Sequence, residues 1–452
     1  MTTHANEFSM IARLSTPVIV TQLSTMMLGV IDNVMLGHVS VEALNSSSLG
    51  RLWIIGTCML GIGLVFGMDP FVSQAHGAGD GKGAGLALQR GLIVGLLAAI
   101  PIAVLWCFTE EALVFFNQDP QLAREAERYA LAQLPGLPFL LAFHALRQYL
   151  QGRGIVRPAM WVAILGMGIN ALGNWVLIFG KLGAPALGVV GAGVATGATQ
   201  IALFLMLLAV VRRARLAQGA WTPWSRESFS PRGIARVLAI GAPISLQIGL
   251  ELWAFQIMTL WAGELGPTSL AAHTIVLNLA SLSFMVPLGI SIGTSTRVGN
   301  LLGAGDRYGA QRAAHAAFAM GGAVMLICAL IFLVGRRALP ALYIADPDSA
   351  AVLELASSVL PIAAAFQLFD GLQVVGGGIL RGMGRTIPGA VINLVGYYIL
   401  ALPVAAAMCF GRGHGLQGLW WGLSLGLAAV AAALVLWIVF RGPKRVERRL
   451  RA

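Results

Sequence analysis

The chain has 452 residues, of which 57% are hydrophobic and only 11% are charged. A soluble domain carries about 25% charged residues, so this composition excludes an ordinary water-soluble protein. The formal net charge of +11 would suggest nucleic-acid binding in a soluble protein, but in a membrane protein basic residues chiefly set topology.

Apolar runs along the chain are long enough to cross a hydrocarbon core of about 30 Å as helices. The twelve runs cover residues 10–36, 44–75, 87–108, 129–150, 158–180, 187–211, 234–262, 270–301, 311–334, 352–380, 387–410 and 415–440. Helices are expected because lipid offers backbone groups no hydrogen-bond partners, and the runs lack the alternation of β-barrel strands. We therefore predict an all-α integral membrane protein with twelve transmembrane helices, numbered below as spans 1 to 12.

The two halves of the chain repeat each other. G-L-V-F-G-M-D-P-F-V-S-Q-A-H-G-A-G-D at 63–80 corresponds to G-I-S-I-G-T-S-T-R-V-G-N-L-L-G-A-G-D at 289–306, and the same register pairs Pro17 with Pro243. Later, Q-G-R-G-I-V-R-P (151–158) corresponds to R-G-M-G-R-T-I-P (381–388). Since each half holds an even number of spans, we predict parallel repeats. Two six-helix lobes would then be related by a pseudo-two-fold axis along the membrane normal.

This repeat and the charge pattern predict the domains and the topology. The predicted domains are an N-terminal lobe (1–211), an inter-lobe linker (212–233), a C-terminal lobe (234–440) and a basic tail (441–452). Most of the 30 Lys and Arg residues fall on the side of the membrane that holds both termini and the linker. The positive-inside rule therefore predicts a multi-pass protein of the inner membrane with both termini cytoplasmic, its tail anchored near anionic lipid.

The short motifs of the chain do not indicate an enzyme. The G-A-G-D segments at 77–80 and 303–306 are expected to be tight turns, because no strand precedes them and their spacing is not that of a phosphate-binding loop. The four cysteines show no C-x-x-C spacing and are expected to be small core residues. No metal-ligand cluster or nucleophile–base pair stands out, so we expect neither catalysis nor a cofactor.

Four acidic residues fall well inside the spans: Asp32, Asp69, Glu251 and Asp370. No Lys or Arg is expected at mid-span to neutralise them. A carboxylate at a helix centre costs about 2.5–3.5 kcal/mol on insertion scales, so it persists where it faces water, is protonated or holds a cation. A hard cation such as Na⁺ also prefers oxygen ligands. We predict ion or proton coupling at three of these acids, with an interhelical hydrogen bond as the alternative, while a helix break before Pro70 would equally explain Asp69.

Neutral polar residues accompany the first acid. Gln22 and Asn33 lie near Asp32 in span 1, and Asn170 and Asn174 lie one turn apart on one face of span 5. Amides can bridge helices or ligate a cation through the carbonyl oxygen, so we predict a polar network around Asp32 that could also bind substrate.

On these residues the chain resembles the multidrug and toxic compound extrusion (MATE) family, in its NorM-like branch. The resemblance covers nearly the full length and rests on P-V-I-V-T-Q…D-N-V-M-L-G in span 1, Q-A-H-G-A-G-D after span 2 and G-N-L-L-G-A-G-D after span 8. It implies functional acids at Asp32, Glu251 and Asp370 and paired asparagines in span 5. It also implies a tyrosine one turn before Asp370, where this chain has Phe366.

The resemblance implies a cation-coupled antiporter that exports amphipathic, mainly cationic drugs by alternating access. Na⁺ or H⁺ would drive it, with Na⁺ expected at Glu251 and Asp370. A flippase for lipid-linked precursors is the alternative, although it would need cationic residues in the cleft, and none is expected there. A passive channel would not need deep acids. The expected partners are small-molecule drugs, organic cations and membrane lipid, without nucleic acid, and the protein is expected to be a monomer.

Overall fold

The computed structural model describes residues 4–343, 350–446 and 450, so part of the basic tail lies outside the described residues. Within them the chain forms helices and no strand. In this described part, twelve helices are long and apolar enough to cross a membrane, as predicted. They are span 1 (Asn6–Gly37), span 2 (Glu42–Gly77), span 3 (Gly81–Cys107), span 4 (Pro120–Gly152), span 5 (Arg157–Phe179), span 6 (Gly188–Arg213), span 7 (Pro231–Glu264), span 8 (Pro267–Gly303), span 9 (Arg307–Val334), span 10 (Ala350–Met383), span 11 (Ile387–Gly411) and span 12 (Gly415–Arg441).

Span 4 begins earlier than predicted. It starts at Pro120 instead of residue 129, because Asp119 caps the helix by accepting hydrogen bonds from the backbone N–H groups of Gln121 and Leu122. Its first turns, A-R-E-A-E-R, are polar, so a hydropathy pattern does not reveal them. The capping residue followed by proline is the signal that marks this start.

The two G-A-G-D segments are tight turns, as predicted, and they share one geometry. Gly79 and Gly305 adopt φ of +69° and +83°, which glycine tolerates without steric cost. Asp80 and Asp306 then cap spans 3 and 9 by accepting a hydrogen bond from the backbone N–H three residues later. The same turn in both halves supports the internal repeat.

Irregular helix occurs in spans 2 and 11, and span 4 contains a short 3-10 stretch at Leu134–Gly136. Span 2 is interrupted at Gly67 and Met68, between the helix Val41–Phe66 and the short helix Asp69–Gly77. A helix break before Pro70 was one of the explanations considered for Asp69, and the break places Asp69 at the start of the short helix. Span 11 contains two π-helical stretches, Val395–Ala401 and Ala407–Gly411, a geometry that is frequent at functional sites.

Contacts divide the chain into two compact units, named here after the half that supplies most of each. Among the described residues, the N-unit comprises 20–245 and 450, and the C-unit comprises 4–19, 246–343 and 350–446. This division differs from the predicted lobe boundaries at 211 and 234, because the beginning of span 1 groups with the second half and the beginning of span 7 with the first.

Close backbone approaches explain the grouping. In the C-unit a Cβ atom on Gly293 would lie 2.5 Å from Ser15 Oγ, so the absence of a side chain in span 8 allows span 1 to pack against it. In the N-unit Gly63 plays the same role toward Ser245 of span 7. Ser245 Oγ then donates a hydrogen bond to the carbonyl of Leu60 (2.8 Å).

The linker after span 6 is held by side chains of the N-unit. Tyr149 donates a hydrogen bond to the carbonyl of Ala220 (2.7 Å), and Gln89 donates to that of Thr222 (2.6 Å). Lys82 forms an ion pair with Glu227 (2.8 Å), and its hydrogen bond and positive charge lower the pKa of that carboxyl.

Candidate functional site

Asp32 is buried in the N-unit, with 4% of its surface exposed. Its Oδ1 accepts a hydrogen bond from Asn174 Nδ2, and its Oδ2 accepts one from Thr196 Oγ1 at 3.1 Å. The donors come from spans 5 and 6, so three helices meet at this carboxyl group. Hydrogen bonds of this kind favour the charged form of a carboxyl, whereas burial favours the neutral form.

The paired asparagines complete the network. Asn174 Nδ2 also donates to Asn170 Oδ1 (3.3 Å), and Asn170 Nδ2 donates to Thr196 Oγ1 (3.2 Å). Both amides are almost fully buried, and Asn174 Oδ1 has no hydrogen-bond partner. The structure therefore brings Asp32 together with both asparagines that the sequence singled out.

Two other residues predicted for this network lie outside it. Gln22 accepts a hydrogen bond through Oε1 from Arg147 Nη1 of span 4 (3.1 Å) instead of facing the acid. Asn33 is half-buried, and none of the hydrogen bonds around Asp32 involves it. The prediction that neighbours in span 1 surround Asp32 was therefore wrong for Gln22, because its side chain is hydrogen-bonded to the buried guanidinium of Arg147.

Arginines do lie inside the spans, nearer to the ends than to the middle, where none was expected. The guanidinium of Arg51, in span 2, lies against the backbone of Gly29, close enough for its charge to act on Asp32. Arg147 in span 4 is buried, and Arg297 in span 8 is mostly buried. Isolated arginines within long apolar runs barely change the mean hydropathy, so the pattern of runs conceals them.

The C-unit holds the second pair of acids. Glu251 of span 7 is half-buried and accepts a hydrogen bond through Oε2 from Gln373 Nε2 of span 10 (3.1 Å). Asp370 is 4% exposed and lies one turn before Gln373, and its Oδ1 has no hydrogen-bond partner. The charge of Glu251 acts on the carboxyl group of Asp370.

Aromatic residues pack close to these acids. Phe366, where the resemblance implies a tyrosine, is buried with its ring edge-on to those of Phe255 (6.1 Å) and Trp420 (5.7 Å). Tyr397, in the first π-helical stretch of span 11, is fully buried, and its hydroxyl has no hydrogen-bond partner. The charges of Glu251 and Asp370 both act on this hydroxyl group.

The donor set of the C-unit suits a proton or a hard cation. In the described part of the chain no group of three or more His, Cys, Asp or Glu residues could hold a metal ion. The unpartnered oxygens Asp370 Oδ1 and Gln373 Oε1 are nevertheless the kind of ligand that hard cations prefer. An ion at this point would therefore depend on amide and hydroxyl oxygens besides the two acids.

Two residues that donate hydrogen bonds to these acids, Thr196 and Gln373, were not predicted from the sequence. Thr196 lies in the stretch G-A-G-V-A-T-G-A-T-Q, where it is one of few polar side chains in an otherwise small-residue helix. Gln373 follows Asp370 by three residues, so it shares a helix face with that acid. In each case the feature that could have identified the residue is a polar side chain on the helix face that is turned toward an acid.

Comparison with known proteins agrees with this architecture. The MatE family model matches residues 17–176 and 243–407, one match in each half. The multidrug resistance protein NorM of Burkholderia vietnamiensis is 35% identical over 432 residues, which cover 94% of this chain and 92% of the relative. The multidrug and toxin extrusion protein 1 of Xenopus tropicalis is 32% identical over 96% of this chain and 74% of the relative.

A solved structure shows the same fold. The crystal structure of the eukaryotic MATE transporter AtDTX14 has a TM-score of 0.90 at 25% identity, with coverage of 98% of this chain and 97% of that one. Twelve spans with acids buried among them define a multi-pass membrane transporter. The chain belongs to the MATE family, among its NorM-like multidrug efflux transporters.

Proposed function

We propose that this transporter is an antiporter that exchanges Na⁺ or H⁺ for amphipathic, mainly cationic compounds by alternating access. We place it in the inner membrane with both termini in the cytoplasm. The observation that carries the proposal is the buried carboxyl group of Asp32, held between Asn174 and Thr196. An acid in the spans of an efflux protein is costly unless a proton or a cation binds there.

Coupling requires that the ion and the drug have different affinities for the two states of the protein. An ionised Asp32 accepts hydrogen bonds from spans 5 and 6. Protonation turns one of its oxygens into a donor, and Thr196 or Asn174 must then rearrange. This rearrangement alters the contacts among three helices, which gives the ion a means of weakening drug binding.

The acids of the C-unit supply a second coupling position. Glu251 and Asp370 repel each other when both are ionised, so a shared proton or a Na⁺ ion stabilises the pair. Gln373 Oε1 and the Tyr397 hydroxyl are buried polar groups without partners nearby, and they would complete the ion's oxygen ligands. In this role Tyr397 would supply the hydroxyl that Phe366 lacks.

The flippase alternative gains one supporting feature. It requires a cation that can bind a phosphate group, and Arg147 is buried in span 4. The names of the relatives favour drug efflux, because they describe multidrug resistance and toxin extrusion. Reconstituted protein that moves a fluorescent phospholipid between leaflets, but no drug, would favour the flippase.

The decisive experiment is drug efflux from proteoliposomes under an imposed Na⁺ gradient and, separately, under a pH gradient. We expect uphill movement of a cationic dye under at least one gradient, and its loss when that gradient is collapsed. Movement of the dye only down its own gradient, whatever the ion gradient, would contradict antiport.

A further inference from the structure

Arg51 of span 2 places a positive charge beside Asp32. Its guanidinium occupies the space next to Gly29 of span 1, where a Cβ atom would overlap with it. Gly29 precedes Asp32 by three residues, and side chains at this spacing lie on one helix face with their Cβ atoms about 5–6 Å apart. The guanidinium therefore lies about one helical turn from the carboxyl group, and all three residues belong to the N-unit.

The hydrogen bonds of Asp32 do not balance its charge. Its two oxygens accept hydrogen bonds from Asn174 and Thr196, which are both neutral. The acid is only 4% exposed, and a buried carboxylate without a counter-ion is costly even when it is hydrogen-bonded. Arg51 is half-buried, and it belongs to none of the ion pairs among the described residues. Its charge is therefore available to the acid.

The other groups around Asp32 leave Arg51 as its charged neighbour. Spans 5 and 6 face the acid with amide and hydroxyl groups that carry no charge. Span 4 contributes the buried hydroxyl of Tyr129, on which the charges of Asp32 and Arg51 both act. In the described part of the chain, Arg51 is thus the side chain that supplies a positive charge to this acid.

The second half of the chain builds the equivalent place without charges. The register of the internal repeat pairs Gly29 with Phe255, Asp32 with Met258 and Arg51 with Leu277. Those three residues of the second half belong to the apolar core of the C-unit. The fold therefore does not need an arginine at this position. The arginine and the glycine that leaves room for it occur in the half that has the acid.

We propose that Arg51 is the internal counter-ion of Asp32, a positioning residue that keeps the acid ionised until the coupling proton displaces it. The ionised acid and the guanidinium balance each other's charge. A proton that binds to one oxygen of Asp32 neutralises the acid and frees the guanidinium to move away from Gly29. Because the proton competes with Arg51, this arginine sets the pH at which the transporter releases its drug. The inference rests on the proposed function and adds to it the residue that tunes proton coupling.

The test measures the affinity of a cationic dye for purified protein in detergent by fluorescence polarisation, from about pH 5 to pH 9. The quantity compared is the pH midpoint of the affinity curve, since removal of a positive charge can also strengthen binding of a cation at every pH. We expect Arg51→Gln to move the midpoint upward by about one pH unit or more, as expected for loss of an opposite charge at this distance. Arg51→Lys keeps the charge and should return the midpoint most of the way to that of the wild type.

Gly29→Ala tests the same contact without removing a charge. Its Cβ atom would displace the guanidinium, whose flexible side chain can move aside, so the midpoint should again move upward. This variant also gives the measurement if Arg51→Gln does not fold.

Two controls separate this effect from general damage. The double variant Asp32→Asn/Arg51→Gln should bind the dye independently of pH, because Arg51 acts through the acid. Arg124→Gln removes an exposed charge from span 4 and should leave the midpoint unchanged. A wild-type midpoint in Arg51→Gln, or equal shifts in Arg51→Gln and Arg51→Lys, would overturn the inference alone. A wild-type protein whose affinity does not depend on pH would contradict the proposed switch at Asp32 as well.

Discussion

Asn174 uses its amide group to link Asp32 to Asn170, donating from Nδ2 to a side-chain oxygen of each. Its own Oδ1 is buried beside them without a donor. A protonated Asp32 would be a donor of the kind that this oxygen lacks. The pair therefore has two hydrogen-bonding arrangements, one for each protonation state of the acid, and the switch between them needs only side-chain rotation.

Asp32→Asn should abolish gradient-driven efflux. The variant keeps the size of the side chain but fixes it in a neutral state, so it cannot release a proton or attract a cation. Drug affinity of the purified variant should no longer depend on pH between about pH 6 and pH 8, whereas that of the wild type should. Asp119→Asn is the matched control, because asparagine caps a helix as well as aspartate does. Identical pH curves for Asp32→Asn and wild type would show that Asp32 is not the switch.

Glu251→Gln and Asp370→Asn should each abolish ion-driven efflux while leaving insertion and folding intact. The amides preserve hydrogen bonding in the C-unit but remove the charges that a coupling ion needs. Dye efflux from proteoliposomes measures the effect, and Glu264→Gln at the end of span 7 is the control. If either variant transports at the wild-type rate, the coupling site does not depend on that acid.

Hydropathy was sufficient to predict the spans of this chain because each must match the thickness of a lipid core. It was insufficient for the start of span 4, where A-R-E-A-E-R is helical but polar. The hydropathy pattern also could not show that the beginning of span 1 packs with the second half of the chain. Its grouping with span 8 depends on the small residues Gly289 and Gly293, whose packing partners are distant in sequence.

The candidate site likewise contains residues that the sequence predicted and residues that it did not. Asp32, Asn170 and Asn174 were predictable because a carboxyl or an amide within an apolar run is costly unless it is paired. Arg147 was not predicted as a buried cation because it lies in the last turns of span 4, where an arginine is ordinarily expected to reach water. The hydrogen bond from Thr196 could not be predicted, since a threonine in a helix ordinarily bonds to its own backbone, as Thr199 does three residues later.

Gly382→Ala should destabilise the protein. A Cβ atom there would lie 2.5 Å from the carbonyl oxygen of Ser295, a backbone atom that cannot move aside without shifting span 8. Overpacking of this kind costs about 1–3 kcal/mol of the free energy of unfolding. Gly168→Ala in span 5 is the control, because nothing lies within 4 Å of its Cβ position, and alanine there should be neutral or stabilising. Thermal unfolding in detergent measures both, and equal melting temperatures for the two variants would contradict the close packing at Gly382.

Glu7 and Arg297 form the best-defined ion pair of the C-unit. The carboxylate is fully buried, the guanidinium side chain is 17% exposed, and both contacts measure 2.8 Å. Removal of one partner leaves the other charge buried and unpaired, so Glu7→Gln should lower the free energy of unfolding by up to about 3–5 kcal/mol. The double variant Glu7→Gln/Arg297→Met removes both charges and should be more stable than the single variant.

Arg128→Gln is the control, because it breaks an exposed pair with Glu125 and should cost no more than about 1 kcal/mol of the free energy of unfolding. Denaturant unfolding in detergent ranks the four proteins. If Glu7→Gln unfolds at the same denaturant concentration as Arg128→Gln, this pair does not stabilise the contact between spans 1 and 8.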